Sequence, residues 1–171
     1  MYEGEDPSNY YSVADIDNDG LLEVAVFEKN SSSEEYITNN IKLFKCVNNK
    51  YSLSSTIESE AEYCMSVNIS KASDDINGIF VAAGMGVHSG LQSLYIIKDS
   101  QLVSALEYSI MSLYPSEIKD IDGDKILELS CLDKDPNDQD TNNAEADKIV
   151  TWYKWDGKND LTTVKTQQFP N

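Results

Sequence analysis

The sequence predicts an all-β fold, with three four-stranded antiparallel units laid end to end along 171 residues. Three observations lead there. An acidic motif recurs at a regular spacing, short apolar runs without helical periodicity follow each copy, and tight polar turns join further runs behind them. The motif reads Asp15-Ile16-Asp17-Asn18-Asp19-Gly20-Leu21-Leu22-Glu23-Val24 and again Asp120-Ile121-Asp122-Gly123-Asp124-Lys125-Ile126-Leu127-Glu128-Leu129, its first aspartates 105 positions apart. That distance is twice about 52. A decayed third copy stands near the midpoint, Ser73-Asp74-Asp75-Ile76-Asn77-Gly78-Ile79-Phe80-Val81-Ala82. In this alignment the glycine survives as Gly78 and the last acid becomes Val81.

Each unit reads as a strand, the acidic loop, a second strand, a long loop, and two strands joined by a tight turn. The first unit, about 9–58, places strands at 10–14, 21–27, 40–47 and 51–57, turning at Asn48-Asn49-Lys50. The second, about 62–108, places them at 63–69, 79–83, 91–97 and 101–106, turning at Lys98-Asp99-Ser100. The third, about 113–168, places them at 116–119, 126–132, 149–155 and 161–165, turning at Asp156-Gly157. Four-stranded antiparallel units of about 40–50 residues are the blades of a β-propeller. Propellers close at about 4–8 blades, so three make an arc or a fragment of a larger propeller. The end blades of such an arc expose an apolar face.

Charge narrows the function. The chain carries 13 Lys+Arg against 30 Asp+Glu, a formal net charge of −17, yet 40% of it is apolar. That apolar share builds a core. The scattered cations argue against nucleic acid and anionic membranes as partners. No apolar run reaches the ~18 residues of a membrane span, and a signal or anchor is expected outside this segment. Cys46, Cys64 and Cys131 show no CxxC spacing, so inert thiols are expected rather than a zinc site.

The acidic loops read as cation sites. Carboxylates at loop positions 1, 3 and 5, a carbonyl at 7 and a carboxylate at 9 converge on one hard cation, and a glycine at 6 lets the chain bend. The expected ligands are Asp15, Asp17, Asp19, the Leu21 carbonyl and Glu23, and then Asp120, Asp122, Asp124, the Ile126 carbonyl and Glu128. Oxygen-only donors at irregular spacing favour Ca²⁺ over Zn²⁺, copper or Mg²⁺, giving one or two ions. In the second of these loops Lys125 stands where Gly20 stands in the first, and must take the bend. Loop 73–81 is expected to hold no metal and to rest on side-chain hydrogen bonds and the packing of Ile79 and Phe80. An EF-hand needs flanking helices and a glutamate at position 12; here that position is Val26 or Cys131.

These two motifs resemble the FG-GAP/VCBS repeat of integrin α-type propellers and many bacterial surface proteins. The resemblance implies calcium in the loops between first and second strands, a seven-bladed ring when complete, and an extracellular or cell-envelope setting.

The expected function is a calcium-stabilised, non-catalytic binding or scaffold module for adhesion or recognition. The alternatives are a polysaccharide-active enzyme and a carbohydrate-binding lectin. An unknown protein or glycan ligand is expected at the opposite end from the metal loops, formed by loops 29–35, 84–90 and 133–147. Further blades from the same or another chain are possible partners. His88 and Ser89 in a Gly-rich loop lack a nucleophile–base–orienter set. Trp152 and Trp155 fall on opposite faces of one strand, so at most one can be a sugar-stacking platform, and packing is the default for both.

Overall fold

A computed structural model describes residues 10–29, 39–86, 89–113, 117–138 and 145–169. Among these it contains thirteen strands and no α-helix, in three antiparallel sheets that do not close on themselves. The first sheet runs in chain order through β1 (Tyr11–Ala14), β2 (Glu23–Glu28), β3 (Asn39–Val47) and β4 (Lys50–Ser59). The second holds β5 (Tyr63–Lys71), β6 (Asn77–Met85), β7 (Ser89–Lys98) and β8 (Gln101–Ser104), with β9 (Ile110–Leu113) also on β7. The third holds β10 (Ile118–Lys119), β11 (Glu128–Lys134), β12 (Lys148–Trp155) and β13 (Leu161–Phe169).

The tight turns have the backbone their residues suggest. Asn48 and Asn49 have φ of 52° and 61°, and Asp99 and Ser100 have φ of 50° and 65°. Two consecutive left-handed residues match the twist of a two-residue hairpin. One expected strand differs. Residues 101–106 divide: β8 ends at Ser104, and Ala105 and Leu106 turn into a core. The chain then returns as β9. β8 pairs with Tyr95–Lys98 and β9 with Ser89–Gln92, so the two share one edge of β7. Burying Ala105 and Leu106 outweighs the ladder bonds lost at the break.

The sheets stack in chain order, with the second in the middle. One core joins Ala25, Phe27, Ile41 and Leu43 of the first sheet to Val67, Ile79, Val81 and Tyr95 of the second. The other joins Phe80 and Leu94 of the second sheet to Leu129 and Trp155 of the third. Burial alternates along β2, as in a one-sided strand, whereas Gly78–Gly84 of β6 are buried on both faces. The unbroken apolar run 79–83 is the sequence signature of that difference. Polar bonds tie the layers as well. The Ile69 N–H donates to Ser12 Oγ at 3.0 Å and the Leu102 N–H to Ser55 Oγ at 2.9 Å.

All three sheets present the same face forward. Glu23, Ala25 and Phe27 alternate on the face of β2 that meets the second sheet. On β11, Glu128 and Ser130 lie opposite Leu129, the residue that packs back against Phe80. In β6 the forward-facing residues are therefore Gly78 and Phe80, and the backward-facing ones are Ile79 and Val81. The cross-strand pairs Val24–Phe44, Ile79–Tyr95 and Leu129–Tyr153 align accordingly. This corrects the sequence alignment: Gly78, not Val81, occupies the place of Glu23 and Glu128. In that register seven residues, 71–77, lie between the paired Ser70 and Gly78, against eight, 15–22 and 120–127, between Ala14 and Glu23 and between Lys119 and Glu128.

Candidate metal centre

The two acidic loops wind alike. Asn18 and Gly20 have φ of 60° and 87°; Gly123 and Lys125 at the corresponding positions have φ of 86° and 73°. Lys125 therefore takes the left-handed bend, at a cost of about 1–2 kcal/mol relative to glycine. The first aspartate pulls each loop closed. Asp15 accepts the N–H groups of Asp19 (3.1 Å) and Gly20 (3.0 Å), and Asp120 those of Gly123 (2.6 Å) and Lys125 (2.9 Å). Asp19 accepts the Leu21 N–H and Asp124 the Ile126 N–H, both at 2.8 Å. The closing glutamates tie the loop to its strand. Glu23 accepts the Ile16 N–H at 3.0 Å and Glu128 the Ile121 N–H at 2.9 Å.

Burial distinguishes the glutamates from the aspartates. Glu23 and Glu128 are 1% and 0% exposed. Loss of solvent raises the Glu23 pKa, the Ile16 hydrogen bond opposes this, and the Asp17 charge adds to it.

The structure brings together part of each expected ligand set. Carboxylate oxygens of Asp15, Asp17 and Asp19 lie within 4.8 Å of one another, as do those of Asp120, Asp122 and Glu128. Glu23 is outside the first cluster and Asp124 outside the second. Leu21 and Ile126 sit at the seventh position, Leu21 half exposed and Ile126 buried. Clustered carboxylates of this kind fit a hard cation. Loop 73–81 has no such cluster among the described residues. Asn77 Nδ2 there donates to the Asp15 carbonyl at 2.9 Å, and the Ala72 N–H donates to the Ile76 carbonyl at 2.8 Å.

Two lysines that loop spacing does not reveal complete the picture. Lys154 Nζ lies 2.9 Å from Asp122 and 3.1 Å from Glu128, and also contacts Asp124. Glu128 Oε1 makes no directed hydrogen bond and meets Lys154 instead. Lys45 pairs with Asp17, and its charge also acts on Glu23 and Asp19. One step along the ladder from Val24–Phe44 and Leu129–Tyr153, Lys45 falls opposite Glu23 and Lys154 opposite Glu128. At the same place in the middle sheet Ile96 falls opposite Gly78. Acid and cross-strand lysine are thus present together or absent together.

Burial pulls the Lys154 pKa down, but the carboxylates of Asp124, Asp122 and Glu128 beside it outweigh this and leave it above the ordinary lysine range. The same Lys154 bond, with the Ile126 N–H, lowers that of Asp124. The third loop therefore already holds a positive charge among its carboxylates. In the first, Lys45 engages one carboxylate from the side.

Elsewhere, His88 and residues 30–35 and 139–144 lie outside the described residues. Ser89 opens β7. Trp155 is in the second core, and Trp152, on the opposite face of β12, is 7% exposed with Lys119 Nζ 5.0 Å from its ring centroid. Neither indole is an open platform. Cys46, Cys64 and Cys131 form no disulfide, and no helix among the described residues is long and apolar enough to cross a membrane. No family model, curated protein or solved structure matches the chain.

Proposed function

We propose that this chain is a calcium-stabilised, non-enzymatic β-propeller-type module that serves as a binding or scaffold element at a cell surface or in a cell envelope. The observation that carries this reading is the convergence of Asp15, Asp17 and Asp19 within 4.8 Å in a loop closed by its own backbone. Loop 15–23 takes the ion, through these carboxylates and the Leu21 carbonyl. In loop 120–128 the Lys154 ammonium already sits against three of the carboxylates and takes the place of an ion, so one Ca²⁺ binds per chain. The forward-facing stack of three sheets supports the propeller reading, since a ring or arc needs each sheet to follow the last in the same sense. A weak oxygen site suits the extracellular side, where modules bind Ca²⁺ at about 10⁻⁴–10⁻³ M. The recognition surface is assigned to the end opposite the metal loops, for a protein or glycan ligand.

Thermal melts in EGTA and in Ca²⁺ test this. Ca²⁺ at a hundredfold excess over its Kd adds about 2.7 kcal/mol, and elemental analysis should find one ion per chain. Asp15→Asn should abolish both effects. An unchanged melt with no bound calcium refutes the metal assignment.

A further inference from the structure

The two outer faces of the stack are a matched plug and socket, and we propose that a second copy of this chain docks there head to tail. Each junction inside the chain has a forward face that receives the backward face of the following sheet. In the first sheet the receiving residues are Ala25, Phe27, Ile41 and Leu43, and Val67, Ile79, Val81 and Tyr95 of the second sheet fill them.

The third sheet has the same socket. The cross-strand rows Ala25–Leu43 and Phe27–Ile41 correspond to Ser130–Trp152 and Leu132–Val150. These four residues line a hollow of about 380 Å³ bordered by Lys119, Lys148 and Phe169, in whose wall Ser130 and Trp152 are buried and Leu132 and Val150 half-buried. In the first sheet the corresponding space is filled by neighbouring side chains.

The first sheet has the same plug. Its backward face carries Tyr11–Val26, Val13–Val24 and Val24–Phe44 as cross-strand pairs. The corresponding pairs in the second sheet are Val67–Val81, Ile69–Ile79 and Ile79–Tyr95, which form the first core. Val67 is buried and Ile69 half-buried in the second sheet. The corresponding Tyr11 and Val13 of the first are 48% and 45% exposed, and Val24, Val26 and Phe44 beside them are half-buried. An apolar row spanning all four strands, Val13–Val24–Phe44–Leu53, is a contiguous patch rather than scattered exposure.

A second copy offers the socket that fits this plug. The new junction continues the two within the chain, third sheet of one copy against first sheet of the next. Such a contact is heterologous, and two junctions close six sheets into a ring if the rotation allows it. The inference does not require bound metal.

Sedimentation velocity of the full chain, run both in EGTA and in Ca²⁺ at physiological ionic strength, tests it. The expected mass is two or more chains, falling to one with Val24→Lys on the plug or Val150→Lys on the socket. Both substitutions reduce the negative charge, so added repulsion does not account for dissociation. Mixing the two variants should restore association, because each retains the half the other lacks. Tyr11→Lys and Leu132→Lys form a second pair should either first variant melt abnormally. A wild-type chain that is monomeric at every concentration overturns the proposal. So does dissociation by plug variants alone, which signifies a plug-to-plug contact, or a mixture that stays monomeric. A loss of calcium binding with the pair intact counts against the metal reading only.

Discussion

Lys154, outside the motif, meets three carboxylates of the third loop. It stands beside Asp122 and Glu128, and Glu128 is fully buried. Removing one partner of a buried pair strands the other charge, which costs about 3 kcal/mol. Lys154→Met in EGTA should therefore melt about 6–12 °C lower, at about 2–4 °C per kcal/mol for a domain of this size. Lys45→Met should lose about 1 kcal/mol or less, because its ion pair is with exposed Asp17 and it acts on Glu23 and Asp19 through charge. Removing the Lys154 ammonium also opens the third loop to a metal, so Ca²⁺ should recover much of the Lys154→Met loss. Equal melts for the two variants in EGTA contradict this division of roles. The aspartates were legible from spacing because local backbone bonds organise them. The lysine was not, since it lies 26 positions from Glu128 and only strand register places it there.

At the scale of elements, the strands appear where apolar runs and turn residues put them, and the departures occur where burial decides. β9 is the clearest: residues 110–113 carry no turn signal that separates them from 101–106, and only the inward bend of Ala105 and Leu106 creates the break. Gly84 shows how closely one pair of strands is matched. It pairs with Tyr63 across β5 and β6, and a Cβ there would lie 1.8 Å from the Tyr63 ring. Gly84→Ala should cost about 3 kcal/mol through overpacking, read as a lower denaturant midpoint at unchanged m-value. Adding Tyr63→Val should recover most of the loss, and failure to recover excludes the ring as the cause.

For the whole molecule, stability is concentrated in the middle of the stack. Gly78–Gly84 of β6 and Gly90–Tyr95 of β7 are buried throughout, while burial alternates along β2 of the first sheet and β13 of the third is mostly exposed. Hydrogen exchange should be slowest at residues 79–83 and 91–95 and faster in β1 and β13. Slower exchange in the first sheet than in the second contradicts the layering.

By itself the sequence determined the all-β class, the order of the three units, the hairpin turns and the two acidic loops, but not the fifth strand, β9, of the second sheet. Each of these depends on chemistry within a few residues: two-residue periodicity, Asn and Asp in left-handed turns, and carboxylates closing a loop onto nearby N–H groups. Tertiary structure decided that Gly78 stands in place of the closing acid, that Lys45 and Lys154 face the acidic loops, and which faces of the outer sheets stay open. Those outcomes depend on register and stacking, where residues far apart in the chain become neighbours and a one-residue shift exchanges the two faces of a strand.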